Sequence, residues 1–290
     1  MEWTLKKILI TIIVSLCLVN VAEAKKNHRA RHATHHAAHN KNIKKTVYSS
    51  VRTVGPISIL AYDMKSKVPV HGFATSVVRP MASLTKLMTA MVSLDANHDL
   101  QQSVTYQGRS VTREQLFQRL LIRSDNGVAE FLSQSYPGGR DAFISAMNHK
   151  AARLAMVDTH FDDPSGRIQT NVSTAEDVGR MLEAAYGYQP IRRISTYQDL
   201  ETTTVVKRRH KTIVTVNHAP NTNTMVLTAF PDVVVSKTGF TNPAGYCVGV
   251  VVEQNGRTYV VVVMGAHNRY ERFDKVKDVM YNHIVTASNT

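Results

Sequence analysis

The stretch Arg79–Met91, RPMASLTKLMTAM, places two polar side chains at the start of an otherwise apolar helix. Its apolar residues recur at the spacing of one helix face, which predicts that the helix enters the core. These residues are Met81, Leu84, Leu87, Met88 and Met91. Ser83 and Lys86 stand three positions apart, so a hydroxyl and an amine share one side of the helix. The pair is either a helix cap beside a solvated lysine, or two groups that act on each other.

Two further short motifs favour the second interpretation. Ser124-Asp125-Asn126 lies between helical stretches in LIRSDNGVAEFL, and Lys237-Thr238-Gly239 ends the apolar strand VVVSKTGF. Each motif alone is weak, since Ser-x-x-Lys occurs by chance in many chains. In this order and on these types of element, the three together match the motif set of class A β-lactamases and penicillin-binding proteins.

From Val51 to its end the chain resembles the serine D-alanyl-D-alanine peptidases, the low-molecular-mass penicillin-binding proteins. Two further segments resemble sequences of that family: FDDPSGRIQTNVSTAEDVGRML and KTGFTNPAGYC. Within the family, SLTKLMTAMVSLDA, YPGGRDAFISAMN and NTNTMV resemble the penicillin-binding protein 7 type of D-alanyl-D-alanine endopeptidase. The resemblance implies a mixed α/β fold of the β-lactamase/DD-peptidase type, with an antiparallel sheet flanked by helices and an inserted all-helical lobe.

The pattern of elements agrees with that fold. ISILAYDM and VPVHGF predict a hairpin around Lys65-Ser66, and helical spacing dominates from residue 112 to residue 187. Beyond Pro190 the pattern becomes β-like, with strands in VVVSKTGF, GYCVGVVVEQ and RTYVVVVMGA and a hairpin turn at Asn255-Gly256. A last helix is predicted from about Tyr270 to Val285. Strands at both ends and a helical block between them predict a sheet with helices packed on it.

The resemblance implies a nucleophile and its base. Ser83 would form an acyl-enzyme on the D-alanyl carbonyl, and Lys86 would take its proton if desolvation and nearby positive charge keep the amine neutral. Ser124 would relay a proton between the lysines and the leaving amine. The backbone N–H groups of Ser83 and Phe240 would form the oxyanion hole.

The remaining motif residues would bind the substrate. Asn126 would orient Lys86 and bind a substrate amide, whereas Asp125 is expected to face away from the cleft. Lys237 and Thr238 would hold the anionic end of the substrate, and Gly239 would let a ligand strand approach. We expect no metal and no cofactor, and we interpret Asp162-Asp163-Pro164-Ser165-Gly166 as a turn. His160, His210, His218 and His267 have no triad pattern around them and are interpreted as structural or surface groups.

Three alternatives stay open at this point. A class A β-lactamase needs a further carboxylate, typically in Glu-x-x-Leu-Asn, and none of Glu130, Glu176, Glu183 and Glu201 is followed by that pattern. A non-catalytic β-lactam sensor or wall-binding module conflicts with three intact motifs. A D-alanyl-D-alanine carboxypeptidase is the nearest alternative, and the short segment after Lys237 favours the endopeptidase. The expected partners are peptidoglycan stems and cross-links, with β-lactams as covalent inhibitors.

The N-terminus is predicted to be a signal peptide, residues 1–24, with Lys6 and Lys7 before an apolar run and Ala22-Glu23-Ala24 as cleavage site. An uncleaved anchor is the alternative. Residues 25–45 are predicted to be a disordered basic, histidine-rich linker, and residues 46–290 the catalytic domain. The chain has two cysteines, Cys17 and Cys247, so the mature chain forms no internal disulfide.

These features together predict a protein exported to the periplasm, without a transmembrane segment in the mature chain. Much of the basicity behind the formal net charge of +13 lies in the first fifty residues, so it says little about the folded domain. We expect no nucleic-acid partner.

Overall fold

The computed structural model describes residues 56–96, 99–209, 211–228 and 232–285, with the backbone alone at 204–208 and 211. They lie within one compact unit, Thr53–Thr290. The predicted signal peptide (1–24), the linker (25–45) and the start of the domain at Thr46 lie outside the described residues. No helix in the described part of the chain is long and apolar enough to cross a bilayer.

The central element is a five-stranded antiparallel sheet with the strand order β2-β1-β11-β10-β9. Its strands are β1 Ser58–Asp63, β2 Pro69–Phe73, β9 Val233–Thr241, β10 Gly245–Gln254 and β11 Arg257–Ala266. Three two-stranded sheets accompany it: β3 Arg79–Pro80 with β6 Val172–Ser173, β4 Ser103–Tyr106 with β5 Arg109–Thr112, and β7 Asp199–Arg208 with β8 Lys211–Pro220.

The helices, numbered in chain order, lie mostly between β3 and β7. They are α1 Thr85–Asp95, α2 Arg113–Ile122, α3 Asn126–Gln134, α4 Gly139–Arg153, α5 Ala175–Tyr186, α6 Gln189–Ser195, α7 Thr224–Leu227 and α8 Glu271–Val279. A 3-10 turn, Ala82–Leu84, precedes α1, and a π-helical turn, Met280–Val285, follows α8.

The sheet separates two hydrophobic cores, because side chains of a strand alternate between its faces. In β11, Val260, Val262 and Met264 face the helices of the inserted block, whereas Val261 and Val263 face α8. Both faces are thus covered by helices, which confirms the predicted mixed fold. One edge of the sheet is β9, and this strand carries the Lys237-Thr238-Gly239 motif.

Most predicted elements are confirmed. The hairpins turn after Asp63 and at Asn255-Gly256, the helical block is present, and the last helix runs into the π-turn. The β-like interpretation after Pro190 was wrong for α6, because proline is tolerated in the first turn of a helix and Pro190 lies there. The short α7 was also not predicted. The Lys-Thr-Gly motif lies inside β9, which continues to Thr241.

Candidate active site

Ser83 lies on the 3-10 turn that leads into α1, partly exposed at the surface. The preceding Ala82 has φ of 48°, a value that is uncommon outside glycine and that marks a locally strained turn. Lys86, one turn further along, is completely buried. The local structure therefore presents a hydroxyl outward and keeps an amine behind it.

The Lys86 amine contacts three oxygen atoms. Its Nζ lies 2.8 Å from Ser83 Oγ, 2.7 Å from Asn126 Oδ1 and 2.7 Å from the carbonyl oxygen of Ser165. Burial lowers the pKa of Lys86 from 10.5 to about 7, since desolvation disfavours the ammonium form. A substantial fraction of this lysine is therefore neutral near neutral pH.

The three contacts fix the orientation of the neutral amine. A neutral amine has two N–H bonds and one lone pair, whereas the amide oxygen of Asn126 and the carbonyl of Ser165 can only accept. Both N–H bonds are used by these two acceptors. The lone pair is left facing the Ser83 hydroxyl at 2.8 Å, which is the arrangement that proton removal from the serine requires.

Asp125 holds the second motif in place between α2 and α3. Its carboxylate is the N-cap of α3, accepting from the Val128 N–H at 3.2 Å, and it forms a 2.8 Å ion pair with Arg119. Ser124 next to it has φ of 58°. Asp125 thus has the structural role expected from the sequence, and it fixes the directions of its neighbours Ser124 and Asn126.

Lys237 projects from β9 to the second motif. Its Nζ donates to Ser124 Oγ at 3.0 Å and to the carbonyl of Thr238 at 2.8 Å. Burial, together with the positive charges of Lys86 and Arg272, lowers the pKa of Lys237 well below its ordinary value. The hydroxyl of Thr238 donates to that of Thr222 at 2.8 Å. The structure therefore brings the residues of all three motifs together.

Gly239 brings β9 against the nucleophile turn. A Cβ on this residue would lie 3.0 Å from Ser83 N and 3.1 Å from Ala82 Cβ, which is tighter than most Cβ contacts in proteins, so these neighbours would have to shift slightly. Packing within the protein thus favours a glycine here, a reason that differs from the predicted approach of a ligand strand. The adjacent Phe240 is exposed, and the contact of Gly239 with Ser83 N places this part of β9 beside the turn that carries Ser83.

Arg272 of α8 supports β9 from the opposite face. Its Nη1 donates to the carbonyl groups of Gly239 and Cys247, both at 3.3 Å, and burial lowers its pKa to about 10. Sequence reasoning did not identify this residue, since its spacing in α8 is that of an ordinary amphipathic helix.

Sequence reasoning also did not identify the loop that supplies the Ser165 carbonyl. Asp163, interpreted only as part of a turn, accepts hydrogen bonds from the backbone N–H groups of Ser165, Gly166 and Ile168. Asn171 spans the loop, accepting from Asp163 N and donating to Asp163 O. The residue types indicate the turn, but Ser165 and Lys86 are 79 positions apart, and only the fold joins them.

The other candidates from the sequence lie elsewhere. His160, His218 and His267 pair with Asp162, Asp199 and Glu271 respectively, at 2.8 to 3.0 Å. His210 is outside the described residues. Glu130 pairs with Arg140, Glu176 with Thr75 and Glu183 with Tyr62, while Glu201 lies on the exposed ribbon β7–β8.

Comparison with known proteins gives consistent results. The family described as D-alanyl-D-alanine carboxypeptidase (peptidase S11) matches residues 97–268, a range that holds the second and third motifs. The chain is 34% identical over 237 residues to the D-alanyl-D-alanine endopeptidase of Escherichia coli, covering 74% of this chain and 73% of that protein. It is 33% identical over 232 residues to the D-alanyl-D-alanine endopeptidase of Pseudomonas aeruginosa, with the same coverage.

Among solved structures, the Streptomyces K15 DD-transpeptidase has a similar fold. The TM-score is 0.71 at 25% sequence identity, and the superposed region covers 79% of this chain and 95% of that structure.

Proposed function

The chain belongs to the D-alanyl-D-alanine carboxypeptidase family, serine peptidases that include the D-alanyl-D-alanine endopeptidases, and we propose that it forms its acyl-enzyme on Ser83. We propose further that it opens D-alanyl–diaminopimelate cross-links of peptidoglycan. The observation that carries the proposal is the completely buried Lys86, whose Nζ lies between Ser83 Oγ and two carbonyl oxygens at 2.7 to 2.8 Å.

The first half of the reaction follows from this geometry. Neutral Lys86 takes the Ser83 proton as Oγ attacks the D-alanyl carbonyl carbon. The negative charge that develops on the carbonyl oxygen is stabilised by the backbone N–H groups of Ser83 and Phe240. Collapse of the tetrahedral intermediate breaks the C–N bond, and the departing amine receives, through Ser124, the proton that Lys86 took from Ser83, which returns Lys86 to the neutral form; Lys237 contacts Ser124 at 3.0 Å.

The second half returns the enzyme to its starting state. Water attacks the ester carbonyl of the acyl-enzyme while Lys86 or Ser124 removes its proton, and Ser83 Oγ leaves as the hydroxyl. Asn126 accepts from Lys86 through Oδ1 and binds a substrate amide, and Lys237 with Thr238 binds the anionic end of the peptide. The proton removed from the water restores the Ser83 hydroxyl, so serine and lysine both return to their starting states.

The choice of endopeptidase rests on two relatives that carry that name at 33–34% identity. The family description names the alternative, carboxypeptidase. These two activities share the acyl-enzyme and differ in the leaving group, which is the side-chain amine of a neighbouring stem in the first and free D-alanine in the second.

β-Lactams would acylate the same serine and stay bound. The penicilloyl ring fragment remains attached after attack and obstructs water, and hydrolysis then needs a base on the correct face. The four glutamates between the second and third motifs are engaged elsewhere or lie on the exposed ribbon. We therefore propose trapping by β-lactams rather than their destruction, and a site of action in the periplasm, in keeping with the predicted signal peptide.

Two substrates digested side by side test the assignment. Purified cross-linked muropeptides and a monomeric pentapeptide are incubated with the enzyme and with Ser83→Ala, and the products are weighed by mass spectrometry. The endopeptidase converts the dimer to monomers much faster than it releases D-alanine. Release of D-alanine alone would establish the carboxypeptidase, and many fast turnovers of nitrocefin would indicate a β-lactamase.

A further inference from the structure

The loop that carries Ser165 is organised by one buried carboxylate. We propose that Asp163 is a positioning residue of the acylation reaction: it fixes the Ser165 carbonyl against Lys86 and so keeps the lone pair of the neutral amine on Ser83. This inference rests on the proposed function, and it assigns to a residue outside the three motifs an effect on the rate and the pH dependence of acylation.

Asp163 is 4% exposed and uses both carboxylate oxygens within the loop. Its Oδ1 accepts from Ser165 N at 2.5 Å, Ser165 Oγ at 2.7 Å and Gly166 N at 2.7 Å. Its Oδ2 accepts from Ile168 N at 3.0 Å. The N–H groups on both sides of the Ser165 carbonyl are therefore held by one carboxylate, which sets the direction of that carbonyl.

The same loop is tied to the helix of the nucleophile. Asn171 donates to the Asp163 carbonyl at 2.8 Å and to Thr85 Oγ1 at 3.2 Å, and Thr85 in turn donates to the Ala82 carbonyl at 2.8 Å. Gly166, at φ of 77°, lies so close to this turn that a Cβ would overlap the Ala82 carbonyl oxygen. A shift of the loop would thus change the positions of Ser83 and Lys86.

The position of the Ser165 carbonyl determines whether the lone pair of the Lys86 amine faces Ser83. If it moved away, one N–H of neutral Lys86 would lose its acceptor and would turn toward Ser83 Oγ at 2.8 Å. The lone pair would then no longer face the hydroxyl, and proton transfer would require a rotation first. Misplacement of about 1 Å at a reacting group costs on the order of 100-fold in rate.

Asp163 also acts on Lys86 through its charge. Four charged groups act on the lysine site: Asp163 in the loop, Asp125 at α3, Arg167 in the loop and Lys237 on β9. Burial is the main reason for the lowered pKa of Lys86, Asp163 and Asp125 oppose the effect, and Arg167 adds to it. Removing the Asp163 charge should therefore lower the pKa of Lys86 further, an effect that the loss of a buried carboxylate far from the site would not have.

Two substitutions separate position from charge. Asp163→Asn keeps an oxygen that can accept from Ser165 and Gly166, but it loses the charge and the acceptor for Ile168 N. Asp163→Ala loses the charge and all four hydrogen bonds. Asp177→Asn is the matched control, since Asp177 is equally buried on α5 and accepts from Asp158 N, Thr159 Oγ1 and Arg180 at 2.6 to 2.9 Å, at a place where it does not contact the three motifs.

The experiment measures acylation of the full chain by a fluorescent penicillin, as a second-order rate constant, between pH 5 and pH 9 (an interval of about two units on each side of the Lys86 pKa). For Asp163→Asn we expect the midpoint of the acidic limb to move down by about 0.5 to 1 pH unit. For Asp163→Ala we expect the plateau to fall about 100-fold. Asp177→Asn should lower the melting temperature but leave midpoint and plateau at their wild-type values.

The experiment distinguishes a failure of the inference about Asp163 from a failure of the proposed function. An Asp163→Asn midpoint equal to that of wild type, with a loss of rate no larger than in Asp177→Asn, would overturn the inference and leave the proposed function intact. If Asp163→Ala does not fold, the inference is decided by Asp163→Asn alone, from the midpoint of the acidic limb of its acylation pH profile. A wild-type enzyme that is not acylated at any pH would overturn the proposed function, and the inference with it.

Discussion

A buried lysine 2.8 Å from a serine hydroxyl changes its chemistry with a single proton. As an ammonium ion, Lys86 donates to all three of its oxygen neighbours and cannot accept from Ser83. As an amine, it satisfies the two carbonyl-type acceptors and turns its lone pair to the hydroxyl. Because its pKa is near 7, the residue passes between these states close to neutral pH.

The protonation of Lys86 predicts the direction in which the acylation rate changes with pH. Acylation requires the neutral amine, so the rate constant with penicillin should rise with pH and reach half of its plateau near pH 7. Stopped-flow measurements between pH 5 and pH 9, about two units on either side of that midpoint, check it. A rate that falls through this interval would mean that the ammonium form is the active one.

Lys86→Arg should remove the base while keeping positive charge and approximate length. A guanidinium stays protonated at any working pH, so acylation should fall by about 10²- to 10⁴-fold. Lys150→Arg is the control, since this lysine is also buried but bonds Asp95 and Tyr188, both at 2.8 Å. Acylation of Lys86→Arg within a few-fold of wild type would show that another group takes the proton.

Among single residues, the sequence predicted those of the three motifs but not the groups that hold them in position. Ser83, Lys86, Asn126 and Lys237 are recognisable because their residue types and order are specific. The Ser165 carbonyl belongs to the backbone, and any residue type would supply it. Its role depends on a direction in space that Asp163 fixes, and no local pattern carries that information.

The elements serve mainly to hold short motifs at their ends. The second motif lies where α2 stops and α3 starts, and Asp125 caps α3 while pairing with Arg119 at 2.8 Å. Because the cap residue stands between Ser124 and Asn126, the start of the helix and the geometry of the site depend on one side chain.

Asp125→Ala should therefore affect stability and activity together. Loss of an N-cap costs about 0.5–2 kcal/mol of the free energy of unfolding. We expect acylation to fall about 10-fold as well, since Ser124 and Asn126 lose their fixed direction. Thr112→Ala is the control, because Thr112 caps α2 in a capping box away from the site. Urea unfolding and the penicillin assay measure both effects, and equal acylation in the two variants would contradict the positioning role.

Element prediction succeeded where periodicity is strong and failed where it is short. The apolar runs of β10 and β11 and the apolar face of α4, with Phe143, Met147 and Ala151 buried, were clear in the sequence. The seven-residue helix α6 was missed because Pro190 was interpreted as the end of helical structure. A proline in the first turn costs no hydrogen bond, so the same residue is compatible with either interpretation.

The whole molecule places the site at one edge of a sheet that is covered on both faces. The inserted helices supply the first and second motifs, β9 supplies the third, and α8 supports β9 through Arg272. The mixed architecture was predictable from the order of elements, because strands at both ends must pair to bury the helices. The distance between β9 and Ser83 could not be predicted from the sequence, since it depends on Gly239 and the packing around it.

The basic linker predicted for residues 25–45 should be dispensable for chemistry. It has seven Lys or Arg residues and no acidic residue, and it carries none of the three motifs. A chain beginning at Thr46 should hydrolyse small soluble substrates at the wild-type rate but bind intact wall sacculi less well. The loss of binding should be largest at low salt, where screening is weakest. A large fall in soluble-substrate turnover would mean that the segment docks on the domain.

The mass of the intact protein after exposure to penicillin tests directly whether Ser83 is the nucleophile. With Ser83 as nucleophile and Lys86 as base, the wild-type protein should gain the mass of one penicilloyl group and keep it for minutes. Ser83→Ala, otherwise folded as the wild type, should gain none. An adduct of the same mass in Ser83→Ala, or its absence in the wild type, would contradict the assignment of Ser83.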